Sequence, residues 1–224
     1  MKIENKKLII FDLDGTLIDS VPDLAISINL MLQELKHAEF NESTIRQWVG
    51  NGALTLVKRA LSGSVKIDET LDSKVVENAL EVFLKAYSQN LATSTKIYPN
   101  VATTLKALKE KNYRLTIVTN KPFTFVEPLL DKLGLNNIFE LILGGDSLKE
   151  KKPSPMPLLH VCKVFEVSIE KSIMIGDSHN DILSANACGM QSIGVTYGYN
   201  YNESIDVYNP TTTVDDFAKL NELL

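Results

Sequence analysis

Phe11-Asp12-Leu13-Asp14-Gly15-Thr16-Leu17-Ile18-Asp19-Ser20 follows directly on an apolar run that begins at Lys7. The run has the make-up of a buried parallel strand, and it stops at two carboxylates one residue apart. Open α/β sheets bind ligands in the crevice beyond their strand ends, which is where Asp12 and Asp14 would stand. Side chains alternate along a strand, so the pair would share one face. Gly15 permits a tight turn, and Thr16 has a hydroxyl and an amide to offer an anion. Two carboxylates this close repel, so they need a cation, a shared proton or separate roles.

Outward from this segment, short apolar runs alternate with helical patterns, as in a parallel sheet covered on both faces. Further candidate strands are Arg114–Thr119, Leu141–Leu143, Ser172–Ile175 and Ser192–Val195. Pro99 suits the first turn of a helix whose apolar stripe is Val101, Leu105 and Leu108. The expected fold class is α/β, a doubly wound, Rossmann-like parallel sheet. The rhythm breaks once. From about Pro22 to Thr95 the pattern is almost wholly helical, with apolar faces at Leu24, Ile28, Met31, Leu32 and Leu35 and at Leu71, Val75, Ala79, Val82 and Ala86. A crossover helix needs only about a dozen residues, so an inserted four-helix bundle is expected. The division is then a core of residues 1–17 and 97–224 and a helical cap of residues 18–96. Its connections, near Ile18–Pro22 and Lys96–Pro99, would lie beside the carboxylates, and a lid hinged there could close over them and exclude water.

The chain has 224 residues and a net charge of -5, and its 44% hydrophobic and 23% charged content suits a soluble globular protein with a full core. No apolar run nears the roughly 20 residues that span a bilayer, and the start lacks a signal-peptide pattern. Cys162 and Cys188 are the only cysteines, which suits a reducing compartment and packing roles. A cytoplasmic location with no membrane partner is therefore expected. The acidic balance argues against nucleic acid and requires a local positive site for any anionic substrate. Monomer and dimer are both left open.

Four features recur at predicted strand ends. After Asp12 and Asp14 come Thr119 and Asn120, then Lys152 stiffened by neighbouring prolines, then Gly176-Asp177-Ser178-His179-Asn180-Asp181. Oxygen ligands from Asp12, Asp14 and Asp177 suit Mg²⁺, which keeps several waters and bridges to phosphate. Lysine is a point charge for a phosphoryl group, and Thr119 can donate to an equatorial oxygen. Together they make a phosphoryl-transfer site.

In order and spacing these groups resemble the haloacid dehalogenase superfamily of phosphohydrolases, over nearly the whole chain. The resemblance implies that Asp12 attacks phosphorus to form an aspartyl-phosphate, while Asp14 protonates the leaving alkoxide and then activates water. It also implies that Lys152 stabilises the nucleophile and the transferring oxygens, and that Asp177 holds the metal together with Asp12 and the Asp14 carbonyl. Asp181 would stand behind the ion's ligands or orient Lys152. A carboxylate at Asp14 sets the chain apart from relatives that cleave carbon–halogen bonds and from ion pumps, and favours fast turnover.

Trp48-Val49-Gly50-Asn51-Gly52-Ala53 and Thr196-Tyr197-Gly198-Tyr199-Asn200-Tyr201-Asn202-Glu203 resemble segments of bacterial phosphoglycolate phosphatases. That implies a small phosphorylated acid as substrate, 2-phosphoglycolate, and a cap cation for its carboxylate. Arg46, Lys58 and Arg59 are the candidates, with arginine best suited to bidentate pairing. Gly15, Thr16, Asn51 and Asn120 complete the expected substrate contacts, although Asn51 between two glycines suits a turn equally well. Asp19 and Ser20 would cap the helix that Pro22 begins, His179 would be exposed, and the alternating Tyr197, Tyr199 and Tyr201 would be half-buried strand or loop anchors. A sugar-phosphate phosphatase or a phosphomutase would keep the same carboxylate pair. A phospho-receiver module would place its acceptor in a later strand and lack the helical insertion.

Overall fold

Every side chain of β1 (Leu8–Phe11) is apolar and fully buried, which suits the middle of a sheet covered on both faces. The computed structural model describes residues 2–224. After β1 the chain forms a short strand, β2 (Ile18–Asp19), and four helices, α1 (Val21–Glu34), α2 (Glu42–Arg46), α3 (Ala53–Ser62) and α4 (Ser73–Asn90). It returns through β3 (Lys96–Ile97) to α5 (Val101–Glu110), β4 (Arg114–Val118), α6 (Val126–Lys132), β5 (Leu141–Leu143) and α7 (Met156–Phe165). Then follow β6 (Ser172–Gly176), α8 (His179–Ala187), β7 (Gln191–Val195), β8 (Thr212–Val214) and α9 (Leu220–Leu223). The main sheet has the order β5-β4-β1-β6-β7-β8, with every pair parallel.

This order puts the topological switch at β1. The chain winds outward to β4 and β5, then back to the other side through β6, β7 and β8. Phe11 lies opposite Ile117 on one side and Ile175 on the other. The residues that follow these three strands, Asp12, Thr119 and Asp177, therefore emerge together at the crevice. Ile9 and Phe11 enter one apolar cluster, and Leu8 and Ile10 enter the other with Met174 and Val161.

The helical insertion leaves and re-enters the core through an antiparallel ribbon, Ile18 opposite Ile97 and Asp19 opposite Lys96. Its root is fixed by Asp23, fully buried in α1, whose carboxylate accepts the Ser94 amide at 2.7 Å and the Thr95 amide at 3.1 Å. α1 and α4 pack together. The buried face of α4 is Val76, Ala79, Phe83, Ala86 and Tyr87, while Val75 is 43% exposed. The stripe expected through Leu71, Val75 and Val82 is thus rotated by about one position. The cause is size, because Phe83 and Tyr87, one turn apart and stacked, bury more area than the valines.

Three other expectations change. α5 starts at Val101 behind Asn100, so Pro99 precedes the helix rather than opening it. Ser20 occupies the N-cap position of α1 without a capping hydrogen bond from its side chain. The edge strand β8 was hidden in a half-buried threonine run too short to show alternation. Cys162 and Cys188 are unbridged, as expected of packing residues. Among the described residues no helix is long and apolar enough to cross a membrane.

Phe83 is 1% exposed and holds α4 to the rest of the insertion. Phe83→Ala is expected to lower stability by about 3–5 kcal/mol, read from urea unfolding; a loss below about 1 kcal/mol would show that α4 does not depend on this contact.

Candidate active site

The backbone turns sharply beyond β1. Gly15 has φ +91, and a Cβ placed there would stand 2.2 Å from Asp177 Oδ2. Only glycine lets the Asp177 carboxylate approach the first loop so closely. Asp177 is then fixed from both sides, with Oδ1 accepting the Thr16 hydroxyl at 2.7 Å and Oδ2 the Tyr199 amide at 2.7 Å. Thr16 spends its amide on the Leu13 carbonyl, and Gly15 spends its own on Ile18. Both residues build the wall of the site, and the groups expected to meet an anion are turned inward.

Carboxylate oxygens of Asp12, Asp177 and Asp181 lie within 4.8 Å of one another, and all three residues are buried. Lys152 stands among them, 2.9 Å from Asp12 Oδ1 and 2.6 Å from Asp181 Oδ1. Asp181 also accepts the Ser178 amide at 3.0 Å and hydroxyl at 2.8 Å, which ties it to the start of α8. Asp12 Oδ1 has the ammonium nearby but no well-directed hydrogen bond of its own.

The electrostatics follow from burial. Asp12 is pushed up to about 7, chiefly by desolvation, with Asp181 and Asp14 adding repulsion against the pull of Lys152. Asp177 is raised well above the ordinary carboxylate range by burial first, then by Asp12 and Asp181. Lys152 is moved upward, because its two carboxylates outweigh the burial that opposes its charge. Lys121 behaves likewise beside Asp14, from which it lies 3.1 Å and 3.2 Å.

Four carboxylates, Asp12, Asp14, Asp177 and Asp181, thus face two ammoniums, Lys121 and Lys152. The shortfall is two positive charges. An under-bonded Asp12 oxygen beside raised carboxyls, all hard oxygen donors, fits a divalent cation such as Mg²⁺.

The roof comes from the insertion. The cavity above Asp12, Asp14, Thr119 and Asn120 measures about 40 Å³, room for a few waters. Gly50 and Gly52 bring the Trp48–Gly52 loop down onto it. The Asn120 amide nitrogen donates to the Gly50 carbonyl at 3.0 Å and to that of Lys152 at 3.0 Å. Asn51 sits at this seam, its carbonyl accepting Lys151 at 2.7 Å and its side chain bonded to Asn180 and Tyr201. Its position is that of a clamp between roof and floor.

The expected cap cations lie elsewhere. Arg46 makes a two-pronged pair with Asp19 at 3.0 Å and 3.0 Å, also meets Glu42, and lies over the Tyr199 ring. Arg59 donates to the Trp48 and Val65 carbonyls and covers Tyr201. Neither they nor Lys58 line the cavity. His179 is half-buried between Tyr201 and Tyr208 rather than exposed. Lys121 is a site residue without a role from sequence, while Ser20, expected as a cap, donates its hydroxyl to Asp14 at 2.5 Å, and Tyr199, expected as an anchor, donates its hydroxyl to Asp19 at 2.6 Å. Lys121 had a signal, since it follows Thr119-Asn120 at the strand end and precedes a proline.

Comparison with known proteins agrees with this geometry. Residues 9–195 match the family described as haloacid dehalogenase-like hydrolase. A phosphoglycolate phosphatase of Colwellia psychrerythraea is 49% identical over 224 residues, covering 100% of this chain and 98% of its own. One from Psychrobacter arcticus is 48% identical, covering 98% and 96%. The crystal structure of a predicted phosphoglycolate phosphatase from Haemophilus somnus superposes with a TM-score of 0.92 at 40% identity, covering 98% of each chain. The chain belongs to the haloacid dehalogenase-like hydrolases.

Lys152→Met leaves Asp12 and Asp181 buried without their cation. It is expected to cost about 3–5 kcal/mol of stability, whereas Lys149→Met, at an exposed position, stays within about 0.5 kcal/mol. Equal urea midpoints for the two variants would contradict the network.

Proposed function

We propose that this chain is a Mg²⁺-dependent phosphatase that hydrolyses 2-phosphoglycolate to glycolate and phosphate through an aspartyl-phosphate on Asp12. It is a phosphoric monoester hydrolase, as its relatives' names indicate. The observation that carries the reading is the meeting of Asp12, Asp177 and Lys152 at one crevice beneath a roof from the insertion.

Asp12 and Asp177, with the Asp14 carbonyl, would hold the ion. When bound, it neutralises phosphate and carboxylate so that the two anions can approach. A carboxyl oxygen of Asp12 forms the new bond to phosphorus as the bond to the ester oxygen breaks. Asp14 gives its proton to that departing oxygen, and glycolate leaves. Asp14 then takes a proton from the water that attacks phosphorus, which frees Asp12 and releases phosphate. Lys152 holds its charge against Asp12 throughout, and Asp181 keeps the ammonium in place. Thr119, with a hydroxyl that accepts the Lys121 amide at 3.2 Å, retains its proton for a phosphoryl oxygen.

Once the roof closes over substrate, the covalent intermediate would meet chiefly the water that Asp14 positions. Substrate entry and closure would move residues 18–96 as a cap on the β2–β3 ribbon, with the Gly50–Asn51 seam as the edge that parts.

The reading is tested by phosphate release across a panel of phosphate esters. Wild type is expected to turn over 2-phosphoglycolate best, and only with Mg²⁺. Asp12→Asn, which changes one atom, is expected to fold normally and to fall to background. A folded Asp12→Asn enzyme with wild-type turnover, or equal rates with hexose phosphates, would overturn the proposal.

A further inference from the structure

The far end of the cavity is chemically unlike its floor. Its walls are Leu24, Val49, Leu56 and Phe83, all buried hydrocarbon. Two residues with polar ends interrupt them, Lys121 from the core and Tyr87 from α4. Tyr87 is 1% exposed, and among the described residues its hydroxyl has no well-directed hydrogen bond, the Lys121 ammonium being the polar group that interacts with it. A buried phenol that still has its proton to give fits a ligand acceptor.

Lys121 is the second half. Its ammonium lies 4.7 Å from the centre of the Tyr87 ring, and its hydrogen-bond acceptors are the two oxygens of Asp14. An ammonium carries three protons, so it can bridge Asp14 and a second anion. Among the described residues no cation of the insertion lines this cavity, and Arg46 and Arg59 are committed elsewhere.

Resting on the phosphoglycolate reading, we propose that Lys121 and Tyr87 form the recognition site for the substrate carboxylate. The ammonium supplies the charge and the phenol a second donor. In glycolate one methylene separates the carboxylate from the ester oxygen, so a group already touching Asp14 can reach the carboxylate as well. Selectivity and proton delivery then meet at one side chain. The hydrocarbon walls complete the discrimination, because sugar hydroxyls would be buried there without partners.

The test compares kcat/KM for 2-phosphoglycolate with that for ethyl phosphate, an ester of the same reach without the carboxylate. The readout is the ratio of the two, in wild type, Tyr87→Phe and Lys121→Met. A hydrogen bond to a charged group contributes about 1.5–3 kcal/mol. The ratio is therefore expected to fall about tenfold in Tyr87→Phe and about a hundredfold in Lys121→Met, whatever happens to the absolute rates. Inhibition of ethyl phosphate hydrolysis by glycolate should weaken in parallel. If both variants lose activity on the two esters equally, the groups serve Asp14 or folding and the proposal is overturned. Tyr87→Phe deletes one oxygen from an apolar wall and keeps the test valid even if Lys121→Met fails to fold. A wild-type ratio near one would instead remove the phosphoglycolate reading, and this proposal with it.

Discussion

Lys152 is almost completely buried between Asp12 and Asp181, while Asp177 faces the same space with no cation of its own. Charges are expensive to bury, and a buried pair holds only when geometry and hydrogen bonds satisfy it. Here the polar partners are supplied by backbone and hydroxyl groups that other parts of the chain must deliver, namely Thr16, Ser178 and the Tyr199 amide. The parallel sheet meets that requirement. Its switch at β1 brings three strand ends side by side, so residues far apart in sequence share one crevice. The deficit of two positive charges is what a divalent ion at the crevice would fit.

The insertion is tied to that centre by polar contacts rather than by apolar packing alone. Tyr199 is the link. Its amide holds Asp177, while its hydroxyl accepts the Ser20 amide at 3.0 Å and donates to Asp19, the partner of Arg46. One residue therefore touches both the acidic centre and the ribbon from which the helices spring. The Asp19–Arg46 pair is partly exposed, with side chains 27% and 32% accessible, so its own contribution is modest. Its value is positional, since it sets where α2 lies relative to the ribbon.

The main sheet and the helical insertion were legible in the sequence because they rest on patterns that short windows carry. β1 is an unbroken apolar run, and a helical stretch between Pro22 and Thr95 is far too long for a crossover. The candidate site was legible where a residue type carries its chemistry on its face, as with Asp12, Lys152 and Asp177. Partnerships were not. Arg46 and Arg59 are well suited to a carboxylate, yet Asp19 and backbone carbonyls hold them, and no local pattern announces such long-range pairs. Thr16 points inward because Gly15 lets Asp177 come close, a contact spanning most of the chain. Tyr87 lies off the apolar stripe expected of α4, and only the packed structure sets it beside Lys121.

The central claim is that the acidic centre is incomplete without a divalent cation, and thermal unfolding with and without Mg²⁺ addresses it most directly. Mg²⁺ at a hundred times its dissociation constant should add about 2.7 kcal/mol to wild-type stability, reversed by chelation, and Asp177→Asn should lose most of that gain. Superimposable wild-type unfolding curves in Mg²⁺ and in chelator would contradict the account.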